Sequence, residues 1–276
     1  MTKNSFDTLP ISNDFMFKKV MENKRLCKKL VGAIMQKKIA DIIYTETEKT
    51  IEPYYDSRGV RLDVIIADDK RTRYNLEMQV KNTLGDISGE PVLPKRTRYY
   101  QSIMDMDMLQ KGQDFDELNP LVLVFICAFD FFNEGRYVYT FKSRCLENLA
   151  LELKNEVTVL LLNSQGMRGN VTPLVKNFLR YVNENVPIDK FTQEVETEVV
   201  RLRQDKKARR EYMVLSTRLK DERMEGRREE RAARNRDIAL DMLKDKYTLA
   251  QILKLSRLSK EEIYALAQAN GLQVVE

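Results

Sequence analysis

The sequence predicts an α/β core followed by an all-helical tail, and three observations carry that prediction. The stretches "RLDVIIA", "RYNLEMQVK" and "PLVLVFICAF" have the alternating or continuously apolar pattern of strands. Apolar residues at helical spacing precede them, and a helix opened by proline separates the second stretch from the third. After residue 200 the strand signals stop and helix formers take over. With 276 residues, 43% of them hydrophobic, the chain can bury one core of about 180 residues and carry a smaller appendage. The divisions read from the pattern are a core over 1–200, a charged helix or linker over 201–236 and a small helical module over 237–276.

In chain order, Asn13 is placed to cap a first helix starting at Asp14. Phe15, Val20, Leu26, Leu30 and Ile34 follow at near-helical spacing, with a second helix after Asn23. Three strand candidates come next: "TIEPYY" at 50–55, "RLDVIIA" at 61–67 and "RYNLEMQVK" at 73–81. Pro94 begins a helix that Gly112 ends. Within it, the methionines of "IMDMDMLQ" are read as filling gaps in the core. "PLVLVFICAF" at 120–129 is the most apolar strand, and "RYVYTF" at 136–141 and "VTVLLLN" at 157–163 are further ones. Near the end of the chain, Thr248 and the box formed by Ser259 and Glu262 cap two short helices. As a helix-turn-helix this pair is poor in Arg and Asn for base contacts, so a packing or assembly module is the preferred reading.

Composition excludes much of the known chemistry. There is no histidine, which removes Ser-His-Asp hydrolases, Cys-His proteases and HExxH metalloproteases together. No glycine pattern forms a phosphate-binding P-loop or a dinucleotide turn. Cys27, Cys127 and Cys145 are too scattered for a disulfide framework or a thiolate metal site. Chemistry is left to carboxylates, amides, Lys, Arg and Tyr, with any metal held through oxygen. The apolar run Leu121–Phe129 is stopped by Asp130, well short of the roughly 20 residues of a membrane span. The first residues have neither a basic nor an apolar leader region, so a cytoplasmic location is expected. The net charge of +5 is concentrated: residues 201–236 hold 14 Lys+Arg against 7 Asp+Glu. That segment reads either as a salt-bridged spacer or oligomerising coil, or as a stripe for nucleic acid.

The hairpin made by 61–67 and 73–81 poses the central question. If Ala67 faces Arg73, then Ile66 faces Tyr74, Val64 faces Leu76 and Leu62 faces Met78, so every apolar residue meets another. A slip by two would keep these faces but move Asp63 away from Glu77; the register above, which assumes one loop length, sets Asp63 against Glu77. Their Cβ atoms would then lie roughly 4.5–5.5 Å apart, a spacing at which like charges destabilise a sheet. Gln79 and Lys81 follow Glu77 on the same face by the period of two. A divalent cation would relieve the repulsion, with water completing its shell.

Asp63, thirteen intervening residues and then Glu77-Met78-Gln79 resemble the motif of the PD-(D/E)XK nuclease superfamily. Within it, "VRLDVII" followed by "NLEMQVKN" is similar to the bacterial recombination-promoting nuclease / putative transposase family. "NDFMFKKVM", "PKRTRYYQS" and the charged helix ending in a helical module are similar to that family's layout, so the likeness covers most of the chain. Leu62 stands where the motif's name puts proline. Gln79 stands where many superfamily members have lysine, a variant familiar in this family.

The resemblance implies a restriction-endonuclease-like core, with a mixed sheet flanked by helices, and a metal-dependent DNA endonuclease linked to recombination or transposition. It implies that Asp63 and Glu77, with the backbone carbonyl of Met78, hold Mg²⁺ or Mn²⁺. Gln79 orients the attacking water, Lys81 supplies part of the charge that glutamine lacks, and Asp14 reaches a water at the metal. Alternatively, Asp14 simply complements the dipole of its helix. Lys95, Arg96 and Arg98 lie in the first turn of a helix, where cations oppose the macrodipole. They call for an anion, which is either a DNA phosphate or a carboxylate such as Glu90 or Glu77. Of the adjacent tyrosines, Tyr100 is the one expected to reach the site. DNA is the expected partner, with homo-oligomers through the C-terminal helices. The contrasting reading is a non-catalytic DNA-binding or assembly protein on a nuclease scaffold.

Overall fold

The computed structural model describes residues 6–51, 60–85, 88–109 and 111–276. The chain divides into two compact units, one up to Arg209 and one from Arg210 to Glu276. The first is built on six strands: β1 (Ile42–Ile51), β2 (Val60–Asp68), β3 (Arg73–Gln79), β4 (Leu121–Cys127), β5 (Val138–Phe141) and β6 (Val157–Asn163). They lie side by side in the order β1-β2-β3-β4-β6-β5. β1, β2 and β3 form an antiparallel meander, β3, β4 and β6 run parallel, and β5 closes the edge antiparallel to β6.

The mixed character follows from the connections. A short turn joins β2 to β3, whereas the parallel step from β3 to β4 needs a long crossover. α3 (Leu93–Met108) lies within that crossover. All seven residues of β4 are buried, as a continuous apolar run at the middle of a sheet covered on both faces should be. On one face, Leu93, Tyr100, Ile103 and Met104 of α3 pack with Ile65, Leu121, Leu123 and Phe125. The alternate residues Val64, Ile66, Tyr74, Leu76, Val122, Val124 and Ile126 are buried too, and by the period of two they face the opposite side. There α1 (Asp14–Met21) meets β2 and β3, α2 (Lys24–Ile34) and α5 (Lys190–Gln204) pack with it and with each other, and α4 (Pro173–Glu184) packs with α2 and α5.

The hairpin register agrees with the sequence. Val64/Leu76, Ile65/Asn75, Ile66/Tyr74 and Ala67/Arg73 pair as expected, and the ladder stops before Asp63. Asn13 and Asn23 cap α1 and α2 by accepting the amides of Met16 and Leu26. β1 begins eight residues before the expected "TIEPYY", of which positions 52–55 lie outside the described residues. α4 and α5 are additions to the elements expected from the sequence; Thr172 and Asp189 cap them. Gly166 has a steric reason: a Cβ there would sit 2.6 Å from Tyr137 Cα. Cys27, Cys127 and Cys145 are free thiols.

The helix expected over 201–236 has different ends. α5 stops at Gln204, and α6 (Lys206–Lys244) begins after Asp205, whose carboxylate accepts the amides of Lys207 and Ala208. In the second unit the end of α6 packs with α7 (Leu249–Ser256) and α8 (Lys260–Ala269) around Ala239, Leu243, Leu249, Ile252, Ile263 and Ala267. Thr248 and Ser259 cap α7 and α8, each in a capping box. No described helix is long and apolar enough to cross a membrane.

Candidate active site

Asp63 and Glu77 come from the point where the β2–β3 ladder ends, and each replaces a ladder contact with a side-chain one. The Asp63 amide donates to Glu77 Oε1 at 2.9 Å, and the Met78 amide donates to Asp63 Oδ2 at 3.0 Å. The two acids thus hold each other's strands. Both are buried, at 7% and 2% exposure, where an unpaired carboxylate is costly.

Each carboxylate is faced by a cation from a helix. Lys18 of α1 sets Nζ 3.0 Å from Asp63 Oδ1 and is itself buried. Arg96 of α3 sets a guanidinium nitrogen 3.9 Å from Glu77 Oε2. Arg96 also donates to Gln79 Oε1 at 2.8 Å and to the Tyr100 hydroxyl at 2.7 Å. Asn75, two residues before Glu77 on the same face, donates from Nδ2 to Glu77 Oε1 at 3.1 Å. Its own Oδ1 is buried without a partner. Glu77 Oε1 therefore takes two donors, while among the described residues Oε2 has only the distant guanidinium.

These positions decide the protonation of the pair. Burial, and after it the charge of Asp63, push the Glu77 carboxyl up to about 8. Burial also raises Asp63, against the opposing pull of Lys18, and the charge of Asp14 adds to the rise. The carboxyls compete for ionisation, as two acids sharing a site must.

The structure brings together Asp63, Glu77, Gln79, Arg96 and Tyr100 from the sequence expectations. Asp14 is exposed in the first turn of α1, one turn before Lys18. Lys95 and Arg98 lie near the start of α3, and both are exposed. Lys81 follows Glu77 in the sequence by four, but β3 ends at Gln79, and Lys81 is an exposed residue past that end. The face-sharing expected of it required a longer strand. Lys18 and Asn75 are site residues that the sequence expectations missed. Lys18 had a signal in its i, i+4 spacing from Asp14, and Asn75 in its two-residue spacing from Glu77.

Among the described residues, no group of three or more His, Cys, Asp and Glu could hold a metal. The donor set is two carboxylates with the backbone carbonyl of Met78 beside Glu77, while the Gln79 amide oxygen is taken by Arg96. All are hard oxygen donors, and among the described residues Glu77 Oε2 has no close donor of its own. Such a set fits Mg²⁺ or Mn²⁺ with water completing the shell.

A family model described as PD-(D/E)XK nuclease family transposase matches residues 11–167. That span is more than half of the chain and contains Asp14, Lys18, Asp63, Glu77, Gln79 and Arg96. No curated protein and no solved structure matches the chain.

Proposed function

The chain belongs to the PD-(D/E)XK nuclease family transposases, and from that premise we propose that it is a metal-dependent DNA endonuclease acting in bacterial DNA recombination or transposition. The observation that carries the reading is the buried carboxylate pair, Asp63 and Glu77, fixed by each other's strands at the end of the hairpin ladder. A pair that repels itself this strongly is a poor structural device and a good cation site.

In this reading Asp63 and Glu77, with the Met78 carbonyl, hold Mg²⁺ or Mn²⁺. When bound, the ion supplies positive charge against the scissile phosphate and lowers the pKa of water. Gln79, its amide oxygen fixed by Arg96, orients the attacking water, with Asp14 at the exposed end of α1 assisting. Arg96 bridges Gln79 to Tyr100 and holds that side of the pocket in place. Lys95 and Arg98 contact backbone phosphates near the start of α3, and Lys81 adds charge beside them. The basic α6 adds affinity independent of sequence, and the C-terminal helices serve assembly.

The uncharged Gln79 favours a second reading, a DNA-binding or assembly protein that keeps the nuclease scaffold without its chemistry. Nicking of supercoiled plasmid in Mg²⁺, Mn²⁺ and EDTA, with Asp63→Ala and Glu77→Ala in parallel, separates the two. Metal-dependent nicking abolished by both substitutions supports the nuclease. An inert wild type that retains salt-sensitive DNA binding supports the scaffold.

A further inference from the structure

We propose that Lys18, carried by α1, supplies the ammonium group of the catalytic site, in contact with the reacting phosphate. The inference rests on the nuclease reading above and names a catalytic residue outside the hairpin motif.

Hydrolysis of a phosphodiester builds negative charge on the phosphoryl and leaving oxygens, and a cation fixed in a site shielded from water stabilises that charge strongly. β3 does not provide one. Gln79 is uncharged, and Lys81 lies exposed past the strand's end. Arg96 is engaged by Gln79 and Tyr100 at 2.8 and 2.7 Å. Lys18 is the lysine that the fold buries against a site carboxylate, with 4% exposure and Nζ 3.0 Å from Asp63 Oδ1. An ammonium has three N–H donors, and the Asp63 oxygen needs one of them.

The burial of Lys18 calls for a functional reason. Its neighbours on α1, Phe15, Met16, Phe17, Val20 and Met21, are apolar and buried, whereas Lys19 pairs with Glu22 nearer the surface. A buried ion pair is seldom more stable than an apolar pair of the same volume, so packing alone does not select lysine here. Asp14, one turn earlier, is exposed, so the face of α1 that carries Lys18 runs from the carboxylate pair towards solvent, from which a phosphate would enter.

If the ammonium matters as a charge in the site, a lysine placed on β3 should replace it. Gln79 shares the face of Glu77, which makes Gln79→Lys the relocation to test. The full-length protein is assayed on supercoiled plasmid in Mn²⁺ with enzyme in excess, as wild type, Lys18→Met and Lys18→Met/Gln79→Lys. DNA affinity is measured in EDTA by fluorescence anisotropy, and folding by near-ultraviolet circular dichroism. Lys18→Met is expected to lower the single-turnover rate by about 100-fold or more while DNA affinity in EDTA stays within about twofold, because a buried lysine adds little to phosphate contacts on the surface. The double variant is expected to regain about tenfold of that loss.

A wild-type rate in Lys18→Met overturns the proposal, as does a folded double variant no faster than Lys18→Met. If Lys18→Met fails to fold, the double variant, which has the wild-type charge count, decides by its activity. Loss of the fold in both variants assigns Lys18 to stability alone and overturns the proposal. An inert wild type refutes the nuclease reading itself, and the role of Lys18 falls with it.

Discussion

Replacing Glu77 by glutamine should make the metal-free protein more stable at pH 9 and leave it nearly unchanged at pH 5. A glutamic acid titrates at about 4.5 when unperturbed, and burial beside Asp63 pushes Glu77 up to about 8. Below the lower value both the folded and unfolded chains hold the proton, so pH has no leverage through this group. Between the two values the fold keeps a proton that the unfolded chain has released, and stability falls as pH rises. The loss is complete above about 8. At roughly 1.4 kcal/mol per pH unit the interval sets a ceiling on the order of 5 kcal/mol. Relaxation around a newly charged buried group trims this to on the order of 2–3 kcal/mol. The glutamine amide would keep an oxygen for the Asp63 amide and Asn75 Nδ2, which in the wild type both bond Glu77 Oε1. Its NH₂ would face the Arg96 guanidinium in place of Oε2, a small cost independent of pH. The assay is urea unfolding at pH 5, 7 and 9 in EDTA. The chain has no tryptophan, so near-ultraviolet circular dichroism of the buried Tyr74, Tyr100 and Tyr181 reports on the first unit. Parallel pH profiles for wild type and Glu77→Gln, or a variant less stable than wild type at pH 9, would refute the reasoning.

Three further outcomes follow from other contacts. Lys18→Met strands the buried Asp63 carboxylate and should cost about 3 kcal/mol at pH 7, whereas Lys19→Met, at a partly exposed pair with Glu22, should cost under about 0.5 kcal/mol; urea midpoints compare them. Gly166→Ala drives a methyl to 2.6 Å from the Tyr137 backbone and should destabilise by about 2 kcal/mol or more, while Gly226→Ala in α6, with nothing within 4 Å of the new methyl, should stabilise its helix by up to about 1 kcal/mol, as thermal melts would show. Adding Mg²⁺ at pH 8 should raise the melting temperature of wild type and leave that of Asp63→Asn/Glu77→Gln unchanged, since ligand binding stabilises only a fold that holds the site; equal shifts would place the cation elsewhere.

The parity of the hairpin was legible because a slip by one would have turned Val64 and Ile66 away from Tyr74 and Leu76, whereas a slip by two would have kept the faces and parted Asp63 from Glu77. The observed pairing of Val64 with Leu76 follows the turn length read from the sequence. That register places Asp63 and Glu77 side by side with no knowledge of the rest of the fold. β1 was not legible. Its residues Thr45-Glu46-Thr47-Glu48 carry no apolar alternation, and the strand forms by pairing with β2, a tertiary choice that overrides local pattern. The end of β3 was equally hidden, since the amide of Ala128 bonds the Gln79 carbonyl as the parallel partner runs out, and only β4 sets where that happens. The same limit explains Lys81.

Lys18 shows where sequence patterns stop for the site itself. Lys18 and Lys19 are adjacent and chemically identical, and both fit the polar side of a helix read in isolation. Packing of α1 against β2 separates them, sending one to a buried carboxylate and leaving the other with Glu22 nearer the surface. Arg96 is set by the same kind of constraint, since i, i+4 spacing stacks it over Tyr100 while α3 is held down by Leu93, Ile103 and Met104. The acids of the site are thus fixed by local sheet register and their cations by helix packing on the two sides of that sheet. A substitution that loosens either helix should therefore expose an unpaired carboxylate before it disturbs the hairpin, so that stability at high pH is lost ahead of the fold.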